Sequence, residues 1–449
     1  MTRPSEQLPH PPTGTDRTAR RLSRRTLLGG LAAGSALTVA GCSASSGAPG
    51  NKKHVEVYVW TNGPAIDANF RARVQMFNKH FAGKYSAHIN FLPYDQFWQK
   101  VDLQYAAHKP FDMYYWDVQA YAQYKRGLLQ DEESVVGKSG ITDPAKYRTQ
   151  LYDPWRFDGK NLYVIPDNVQ SMALFYNRDH FDDARLSYPD PTWTYDRVIE
   201  TARKLKKTSG AKVTRWGFDV GDLGGTWWGI QTLSWAAGTA FVDRPLEPRK
   251  FRFTEPANVA ALKFIQDLMW DEHIAPRPDE RAAIGQQNGG FQSGTYAMTP
   301  VGTWNIATYK QMKGNWAMTS LPLYQGKSIA PYWLGGWVIP KNSPALSAAQ
   351  AFATWSATTF QEQMAKDHDW IPLQNAARES AAMLKGMPRG FADAMKKLPE
   401  ARIGDIYTQN MQKIFSEPFA NSIEQLLARK VTPHAAAKQM QDGATELLA

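Results

Sequence analysis

The chain has 449 residues, with 52 Lys and Arg against 42 Asp and Glu, and a formal net charge of +10 at pH 7. A chain of this length exceeds what one hydrophobic core supports, and it has no block of five like charges, so the charge pattern gives little support to nucleic-acid binding. Its single cysteine excludes a disulfide bond within the chain.

The first 41 residues have the pattern of an export signal. Arg24 and Arg25 precede an apolar run from Leu27 to Ala40, and a Val-Ala-Gly triplet ends just before Cys42. The run is shorter than the roughly 20 apolar residues of a membrane-spanning helix. We therefore predict a signal peptide over residues 1–41, with a twin-arginine-like motif and a lipobox, rather than the alternative of a buried helix. The sequence does not decide between twin-arginine and general secretory export.

Cys42 is the residue that would receive the lipid anchor. Residues 42–54 are rich in Ser, Gly, Ala and Pro, a composition typical of a flexible tether. The leader holds six arginines against two acids, so the rest of the chain carries a charge of +6, a mild excess. We expect an extracytoplasmic protein that is anchored as a lipoprotein to the outer face of the cell membrane.

The chain after the tether predicts a parallel β-α-β unit. Valines alternate with polar residues from Val55 to Val59, apolar residues then recur at helical spacing, and a second strand follows at His88–Leu92. Ligand groups gather at the carboxyl ends of parallel strands. Trp60 and Asn62 stand at such an end, so both are candidate ligand contacts.

A second candidate ligand group follows the next predicted strand, Phe111–Trp116. Asp117 comes directly after it, and a carboxylate there can accept hydrogen bonds from two hydroxyl groups. The same side chain could instead cap the helix that follows. The residues alone leave both roles open.

The segment Gly221–Gly229 is rich in glycine and holds two adjacent tryptophans, Trp227 and Trp228. It lacks the Gly-Lys-Ser/Thr of a phosphate-binding loop. Adjacent residues on a helix point in different directions, so we expect one tryptophan in the core and the other in a binding site. The sequence does not tell which is which.

The stretch 290–337 has the composition of a concave binding site. A predicted short strand, Tyr296–Thr299, leads to a tight turn at Gly302 and then to Trp304. This order places a flat aromatic ring beside small hydrogen-bonding groups, as a wet binding cleft requires. Gly335, Gly336 and Trp337 close the stretch.

Several motifs in this order resemble the family 1 extracellular solute-binding proteins of sugar ABC importers, the relatives of maltose-binding protein. The resemblance runs from Val57 to about Ala377. One departure is at residues 373–375, where relatives place a Pro-x-Arg-Lys segment and this chain has Leu-Gln-Asn, which puts a basic ligand contact there in doubt. The matching segments are Gly294–Trp304 (G-x-x-A-M-x-x-x-G-x-W), Leu321-Pro322, Gly335–Trp337, Tyr163–Asp179 and Trp193–Arg197.

The resemblance implies an α/β protein with the periplasmic-binding-protein-like type II fold, in which three hinge crossings join two α/β lobes. The first lobe would comprise residues 55–168 and 325–370, and the second residues 169–324 and 371–449. It further implies a monomeric receptor that closes on a mono- or oligosaccharide in the interlobe cleft and delivers it to an ABC importer permease, without cofactor or metal. The candidate ligand residues are Trp60, Asn62, Asp117, Asn168, Gln170, Trp227, Trp228, Trp304, Gly336 and Trp337.

Two alternatives stay open. A protein of the same fold could bind a polyamine or a phosphorylated compound, in which case the cleft should be rich in carboxylates or in Arg and Lys. A secreted glycoside hydrolase or lyase is the other alternative, although the sequence has no HExxH, Gly-x-Ser-x-Gly, CxxC or Walker motif. Asp367, His368 and Asp369 are consecutive, so they do not converge readily on one metal ion. Neither the sugar, its chain length nor the cognate permease follows from the sequence.

Overall fold

The computed structural model of the chain describes residues 52–61, 63–116, 118–284, 289–368 and 370–448. The predicted signal peptide, Cys42 and most of the tether lie outside the described residues, as do Asn62 and Asp117. Within the described ranges, no helix combines the length and the apolar character needed to cross a membrane.

Eleven strands are formed by the described residues, and nine of them belong to one sheet. They are β1 (His54–Trp60), β2 (Ser86–Leu92), β3 (Met113–Tyr115), β4 (Ile165–Asn177), β5 (Lys207–Ser209), β6 (Lys212–Arg215), β7 (Met298–Gly302), β8 (Trp316–Thr319), β9 (Pro331–Val338), β10 (Ile371–Pro372) and β11 (Arg402–Ile403).

Twenty α-helices connect and cover the strands, together with short 3₁₀ turns and one π-helix, Phe415–Phe419. The helices are α1 (Pro64–His80), α2 (Tyr94–Ala106), α3 (Tyr121–Lys125), α4 (Glu133–Ser139), α5 (Arg178–Ala184), α6 (Tyr195–Leu205), α7 (Gly221–Gly225), α8 (Trp227–Ala236), α9 (Pro256–Trp270), α10 (Pro278–Ile284), α11 (Gly289–Gln292), α12 (Ile306–Tyr309), α13 (Leu346–Ala357), α14 (Gln361–Asp367), α15 (Asn375–Arg378), α16 (Ala381–Gly386), α17 (Phe391–Met395), α18 (Met411–Ile414), α19 (Ala420–Leu427) and α20 (Pro433–Glu446).

The main sheet confirms the predicted β-α-β unit. β1 pairs in parallel with β2 on one side and with β3 on the other, so its carboxyl end lies at a shared edge. The strand order along the sheet is β10-β4-β9-β3-β1-β2, with β11 beside β9 and with β7 and β8 beside β4. Val55 and Val57 are fully buried and Val59 almost so, as the alternating pattern predicts.

The long strand β4 connects two parts of the sheet. Its first half pairs antiparallel with β9 and β10, and its second half pairs antiparallel with β7 and β8. All thirteen of its residues are buried. The register with β9 shifts between Pro166 and Asn168, which leaves Asp167 as the extra residue of a bulge.

Two helices begin at residues that suit a helix start. The Oγ1 atom of Thr194 accepts a hydrogen bond from the backbone N–H of Arg197 at 3.2 Å and so caps α6, while Pro256 occupies the first turn of α9. The apolar residues of α6, among them Val198 and Leu205, are fully buried. Because α6 is strongly amphipathic, its buried stripe fixes the side that packs inward.

The buried apolar side chains form two hydrophobic clusters. One surrounds β1, β3 and β9 and includes α1 and α13, and the other surrounds α6, α8, α9 and α20. The predicted lobe boundaries stay predictions. The bounds of some strands differ from the sequence expectation. β3 is Met113–Tyr115 rather than Phe111–Trp116, and β2 begins at Ser86 rather than His88. β7 is Met298–Gly302 rather than Tyr296–Thr299, so it ends at the glycine that begins the predicted turn.

Candidate functional site

A cavity of about 300 Å³ lies at the carboxyl ends of β1 and β3 and beside β4 and β9. This volume is at the lower end of the range for small-molecule pockets, roughly 300 to 1,000 Å³. Two other cavities of similar size have no aromatic side chain in their lining. The aromatic cavity is lined by Trp60, Tyr94, Tyr115, Trp116, Val118, Asn168, Gln170, Trp228, Trp304, Trp333, Leu334, Gly335, Trp370, Asp405, Gln412 and Phe415.

Three tryptophans form one wall of the cavity. The Trp333 ring meets Trp304 edge to face with centroids 5.1 Å apart, and it meets Trp228 edge to face at 5.5 Å. Two glycines make room for this arrangement. A Cβ atom at Gly302 would lie 2.2 Å from the Trp304 ring, and one at Gly404 would lie 2.5 Å from Trp333 Nε1. The wall therefore depends on the absence of a side chain at these two positions.

Trp60 belongs to a second aromatic group at the cavity. It stands at the last position of β1, and its ring meets Tyr94, Phe97 and Tyr115 edge to face at 5.5 to 5.6 Å. These contacts hold the indole from behind and leave it partly exposed to the cavity. Trp60 and Trp333 come from segments that the sequence assigns to the first lobe, and Trp228 and Trp304 come from a segment that it assigns to the second.

Side-chain amides form the polar floor of the cavity. Asn168 Nδ2 donates to Tyr115 Oη at 2.6 Å, and Gln170 Nε2 donates to Asn168 Oδ1 at 3.4 Å. Gly335 lies opposite Asn168 on β9, where a Cβ atom would be 1.8 Å from Tyr115 Oη. Glycine at this position lets the tyrosine and the asparagine meet across the strand. Asn168 is fully buried and Gln170 is 4% exposed, so Gln170 is the more accessible of the two amides.

Two tryptophans of the lining have buried indole N–H groups. The Nε1 atoms of Trp116 and Trp228 have no hydrogen-bond partner in the part of the chain that the structure describes. Because both atoms are closed off from the cavity, these rings contribute apolar surface to the lining.

Charge is sparse in the lining. Asp405 is the one charged side chain among the described residues that line the cavity, and Lys, Arg and His do not occur among them. Burial, followed by the nearby charge of Asp405, raises the pKa of Tyr407 well above its usual value, so this phenol stays neutral. The described ranges contain no group of three His, Cys, Asp or Glu side chains suited to hold a metal ion.

The structure brings together five of the ten residues predicted for the site. Trp60, Asn168, Gln170, Trp228 and Trp304 line the same cavity. Asn62 and Asp117 lie outside the described residues, so their place relative to the cavity is open. The expected set needs correction at Trp227, Gly336 and Trp337.

Trp227 lies in the core, on a different side of α8 from Trp228. It is fully buried and meets the rings of five phenylalanines, among them Phe241 and Phe253 at 5.4 and 5.5 Å. The two tryptophans of α8 thus divide as predicted, and it is Trp228 that lines the cavity. Helical geometry alone separates them, because successive side chains on a helix point about 100° apart.

Gly336 and Trp337 also lie in the core. A Cβ atom at Gly336 would be 2.8 Å from the carbonyl oxygen of Ile165, so this glycine serves close packing between β9 and β4. Trp337 is fully buried, and its ring meets Phe352 at 5.1 Å and Phe70 at 6.2 Å. It supports Tyr115, whose ring is 5.0 Å away, from beneath the cavity.

The sequence interpretation missed several lining residues. Trp333 could have been predicted from the sequence, because it lies two positions before Gly335 on the same strand and therefore on the same face. Trp116 directly precedes Asp117 at the end of a predicted strand. No sequence pattern could have predicted Asp405 and Phe415, since their segment is distant in sequence and carries no motif. The complete set of missed residues is Tyr94, Tyr115, Trp116, Val118, Trp333, Leu334, Gly335, Trp370, Asp405, Gln412 and Phe415.

Characterised relatives match about half of the chain. A stretch of 267 residues is 27% identical to the sn-glycerol-3-phosphate-binding periplasmic protein UgpB of Rhizobium meliloti and covers 56% of this chain and 59% of that protein. A stretch of 223 residues is 22% identical to the maltooligosaccharide ABC transporter solute-binding lipoprotein of Streptococcus pneumoniae, with coverage of 49% and 51%. The chain thus spans little more than half the length of these relatives.

Solved structures match over most of the chain. An ABC substrate-binding protein of Listeria monocytogenes in complex with cycloalternan has a TM-score of 0.77 at 21% identity, covering 89% of this chain and 99% of its own. The GacH receptor of Streptomyces glaucescens, solved unliganded and with acarbose, has a TM-score of 0.73 at 19% identity and covers 88% and 99%. These similarities confirm the predicted type II periplasmic-binding fold.

The family-wide sequence pattern of the bacterial extracellular solute-binding proteins matches residues 60–361, which is more than half of the chain. The match begins at Trp60 and includes β3, β4 and β9, the strands that carry Tyr115, Asn168, Gln170 and residues 333–335 of the cavity lining. The chain therefore belongs to the family of bacterial extracellular solute-binding proteins.

Proposed function

We propose that the protein binds a neutral carbohydrate, a mono- or oligosaccharide, in the aromatic cavity and delivers it to the permease of an ABC importer. The observation that carries the proposal is the lining itself, in which several partly exposed indole rings surround two side-chain amides. Indole faces cover the apolar C–H side of a sugar ring, and side-chain amides bind its hydroxyl groups.

Five cavity-lining residues that the sequence analysis selected, Trp60, Asn168, Gln170, Trp228 and Trp304, are proposed as ligand contacts. We add Trp333, because its ring joins Trp228 and Trp304 into one surface. Asn62 and Asp117 come two positions after the ends of β1 and β3 in the sequence, so they remain candidates.

A phosphorylated ligand is the second candidate, because one characterised relative is named for binding sn-glycerol 3-phosphate. A phosphate group is normally held by Arg, Lys or several backbone N–H groups. The described lining residues include neither Arg nor Lys, and they include the carboxylate of Asp405. This electrostatic pattern favours the neutral sugar. A polyamine would need more than one carboxylate.

The place of the protein in the cell is part of the same proposal. The lipobox before Cys42 and the tether behind it favour a lipoprotein on the outer face of the membrane, and one relative is named a solute-binding lipoprotein. We propose that the receptor acts without turnover, as a monomer, and that two lobes close on the ligand. Contacts from both lobes would favour the closed state, because only differential affinity shifts such an equilibrium.

A ligand screen by thermal shift tests the proposal. The panel contains maltotriose, mannotriose, tagatose, cycloalternan and acarbose as neutral or sugar-like ligands, with sn-glycerol 3-phosphate and spermidine as charged competitors. A ligand at 100 times its dissociation constant should add about 2.7 kcal/mol of stability. We expect stabilisation by at least one sugar. Stabilisation by a charged competitor alone, or release of sugar products during incubation, would contradict the proposal.

A further inference from the structure

Gln170 is held by hydrogen bonds at both ends of its amide group. Its Oε1 accepts from Thr303 Oγ1 at 2.7 Å, and its Nε2 donates to Asn168 Oδ1 at 3.4 Å. Thr303 is 1% exposed and does not line the cavity, although it directly precedes Trp304. A buried residue of the Trp304 turn therefore contacts the more accessible amide of the cavity floor.

The threonine hydroxyl lies between the backbone and Gln170. Thr303 Oγ1 accepts a hydrogen bond from the N–H of Ser171 at 3.1 Å and donates to Gln170 Oε1. A hydroxyl group can accept two hydrogen bonds and donate one, so the orientation of the Gln170 amide is set from its other end, at Asn168. If Asn168 presents its oxygen, Gln170 must face it with the nitrogen and face Thr303 with the oxygen.

The orientation of Asn168 is fixed independently, by a buried ion pair. Asn168 Nδ2 donates to Asp167 Oδ2 at 3.2 Å, and a carboxylate only accepts hydrogen bonds. Asp167 Oδ2 in turn accepts from Arg73 Nη1 at 2.7 Å, and Ser356 Oγ donates to the other carboxylate oxygen at 2.7 Å. Arg73 and Asp167 are 1% and 0% exposed. Asn168 must therefore direct its oxygen toward Gln170.

We propose that Thr303 and the Arg73–Asp167 pair are positioning residues that hold the Gln170 amide in a single orientation, so that Gln170 offers an N–H group to a ligand oxygen. The inference rests on the proposed function, because it assigns the polarity of one contact in the same cavity. The amide nitrogen has two protons, of which Asn168 takes one. The other proton suits a hydroxyl oxygen of a sugar and opposes an ammonium group.

The hydrogen bonds of Thr303 also connect the amide floor with the Trp304 wall. Thr303 bonds to the backbone and to a side chain of β4, and the next residue supplies the ring that meets Trp333. Loss of the threonine hydroxyl should therefore affect the polar contact and the position of the ring together. The methyl group of Thr303 takes no part in the hydrogen bonds, so a serine at position 303 should make the same hydrogen bonds.

Two variants and a direct measurement test the inference. Thr303→Val removes the hydroxyl at nearly constant volume, and Thr303→Ser retains it. In calorimetric titrations with maltotriose and mannotriose, we expect Thr303→Val to weaken binding by roughly tenfold, the factor that corresponds to about one lost hydrogen bond. Thr303→Ser should bind within about twofold of wild type. Equal affinities for both variants would overturn the inference.

Neutron diffraction from deuterated wild-type crystals tests the orientation without any ligand. We expect deuterium on the Gln170 atom that faces Asn168 and on the Asn168 atom that faces Asp167. The reverse assignment at either amide would overturn the inference even if sugars bind. If neither trisaccharide binds wild type, the result counts against the proposed function. The neutron result decides the amide orientation in that case too. It also decides the orientation if Thr303→Val does not fold.

Discussion

Trp304 and Trp333 meet edge to face with ring centroids 5.1 Å apart, although 29 positions separate them in the sequence. Trp304 follows β7, which pairs with the second half of β4, and Trp333 lies in β9, which pairs with the first half. The continuous strand β4 thus sets the distance between the two rings. The aromatic wall is a consequence of sheet topology, and each ring has a glycine that leaves space for it.

The adjacent tryptophans of α8 should respond to substitution in opposite ways. Trp228→Ala removes a ring of the cavity wall, so we expect sugar affinity to fall by roughly 5- to 150-fold, the equivalent of about 1 to 3 kcal/mol of stacking. Trp227→Ala should instead destabilise the fold by about 3 to 5 kcal/mol, because it empties a fully buried site. Urea unfolding and calorimetry on both variants measure the two effects. A larger affinity loss for the conservative Trp227→Phe than for Trp228→Ala would contradict this assignment.

Gly404 should be intolerant of even one methyl group. A Cβ atom there would lie 2.5 Å from Nε1 and 2.6 Å from Cε2 of Trp333, so Gly404→Ala must displace the ring. We expect a destabilisation of about 1 to 3 kcal/mol together with weaker sugar binding. The matched control is Gly137→Ala in α4, where the new Cβ would have no atom within 4 Å. If the two alanine variants bind sugar equally well, Gly404 does not support the wall.

Glu132 should make the stability of the protein depend on pH. Burial raises the pKa of this carboxyl from 4.5 to about 8, and Gln350 donates to it at 2.8 Å. Between these two pH values the folded state keeps a proton that the unfolded state loses. The contribution of Glu132 to the free energy of unfolding therefore falls as pH rises through this window, by at most about 1.4 kcal/mol per pH unit.

Glu132→Gln removes this titration and retains a polar side chain. We expect the variant to gain stability relative to wild type from pH 5 to pH 8 and the difference to level off above pH 8. Urea unfolding at several pH values measures it, with the exposed Glu424→Gln as a control that should follow wild type. A constant difference between Glu132→Gln and wild type across this range would disprove the assignment.

Cys42 should carry a lipid after cleavage of the leader. We expect Cys42→Ala to be released into the medium or to remain unprocessed, because the thiol is the attachment point of the anchor. Mass spectrometry of the membrane fraction and of the medium checks both outcomes. An unmodified Cys42 in the membrane-bound wild type would contradict the lipoprotein assignment.

The sequence predicted the parts of the fold that rest on local pattern. The alternating valines of β1 are an example, because their period is a property of neighbouring residues. The family resemblance supplied the global topology, and the similar solved structures confirm it.

The candidate site was less predictable. Trp337 and Trp304 are both tryptophans in glycine-containing motifs, yet one packs under the cavity and the other lines it. Their difference depends on which face of β9 or of the Gly302 turn each side chain occupies, and on a bulge at Asp167 that shifts the register. Asp405 and Phe415 reach the cavity through tertiary packing, which no local pattern records.

The most direct test of carbohydrate binding in the aromatic cavity is calorimetric titration of wild type, Trp304→Ala and Trp270→Ala with the sugar that stabilises the protein most in the screen. Trp270 is half-buried in α9 and does not line the cavity, so it controls for loss of an indole. We predict that Trp304→Ala weakens binding by roughly 5- to 150-fold and that Trp270→Ala binds like wild type. Unchanged affinity in Trp304→Ala, or an equal loss in both variants, would contradict the account.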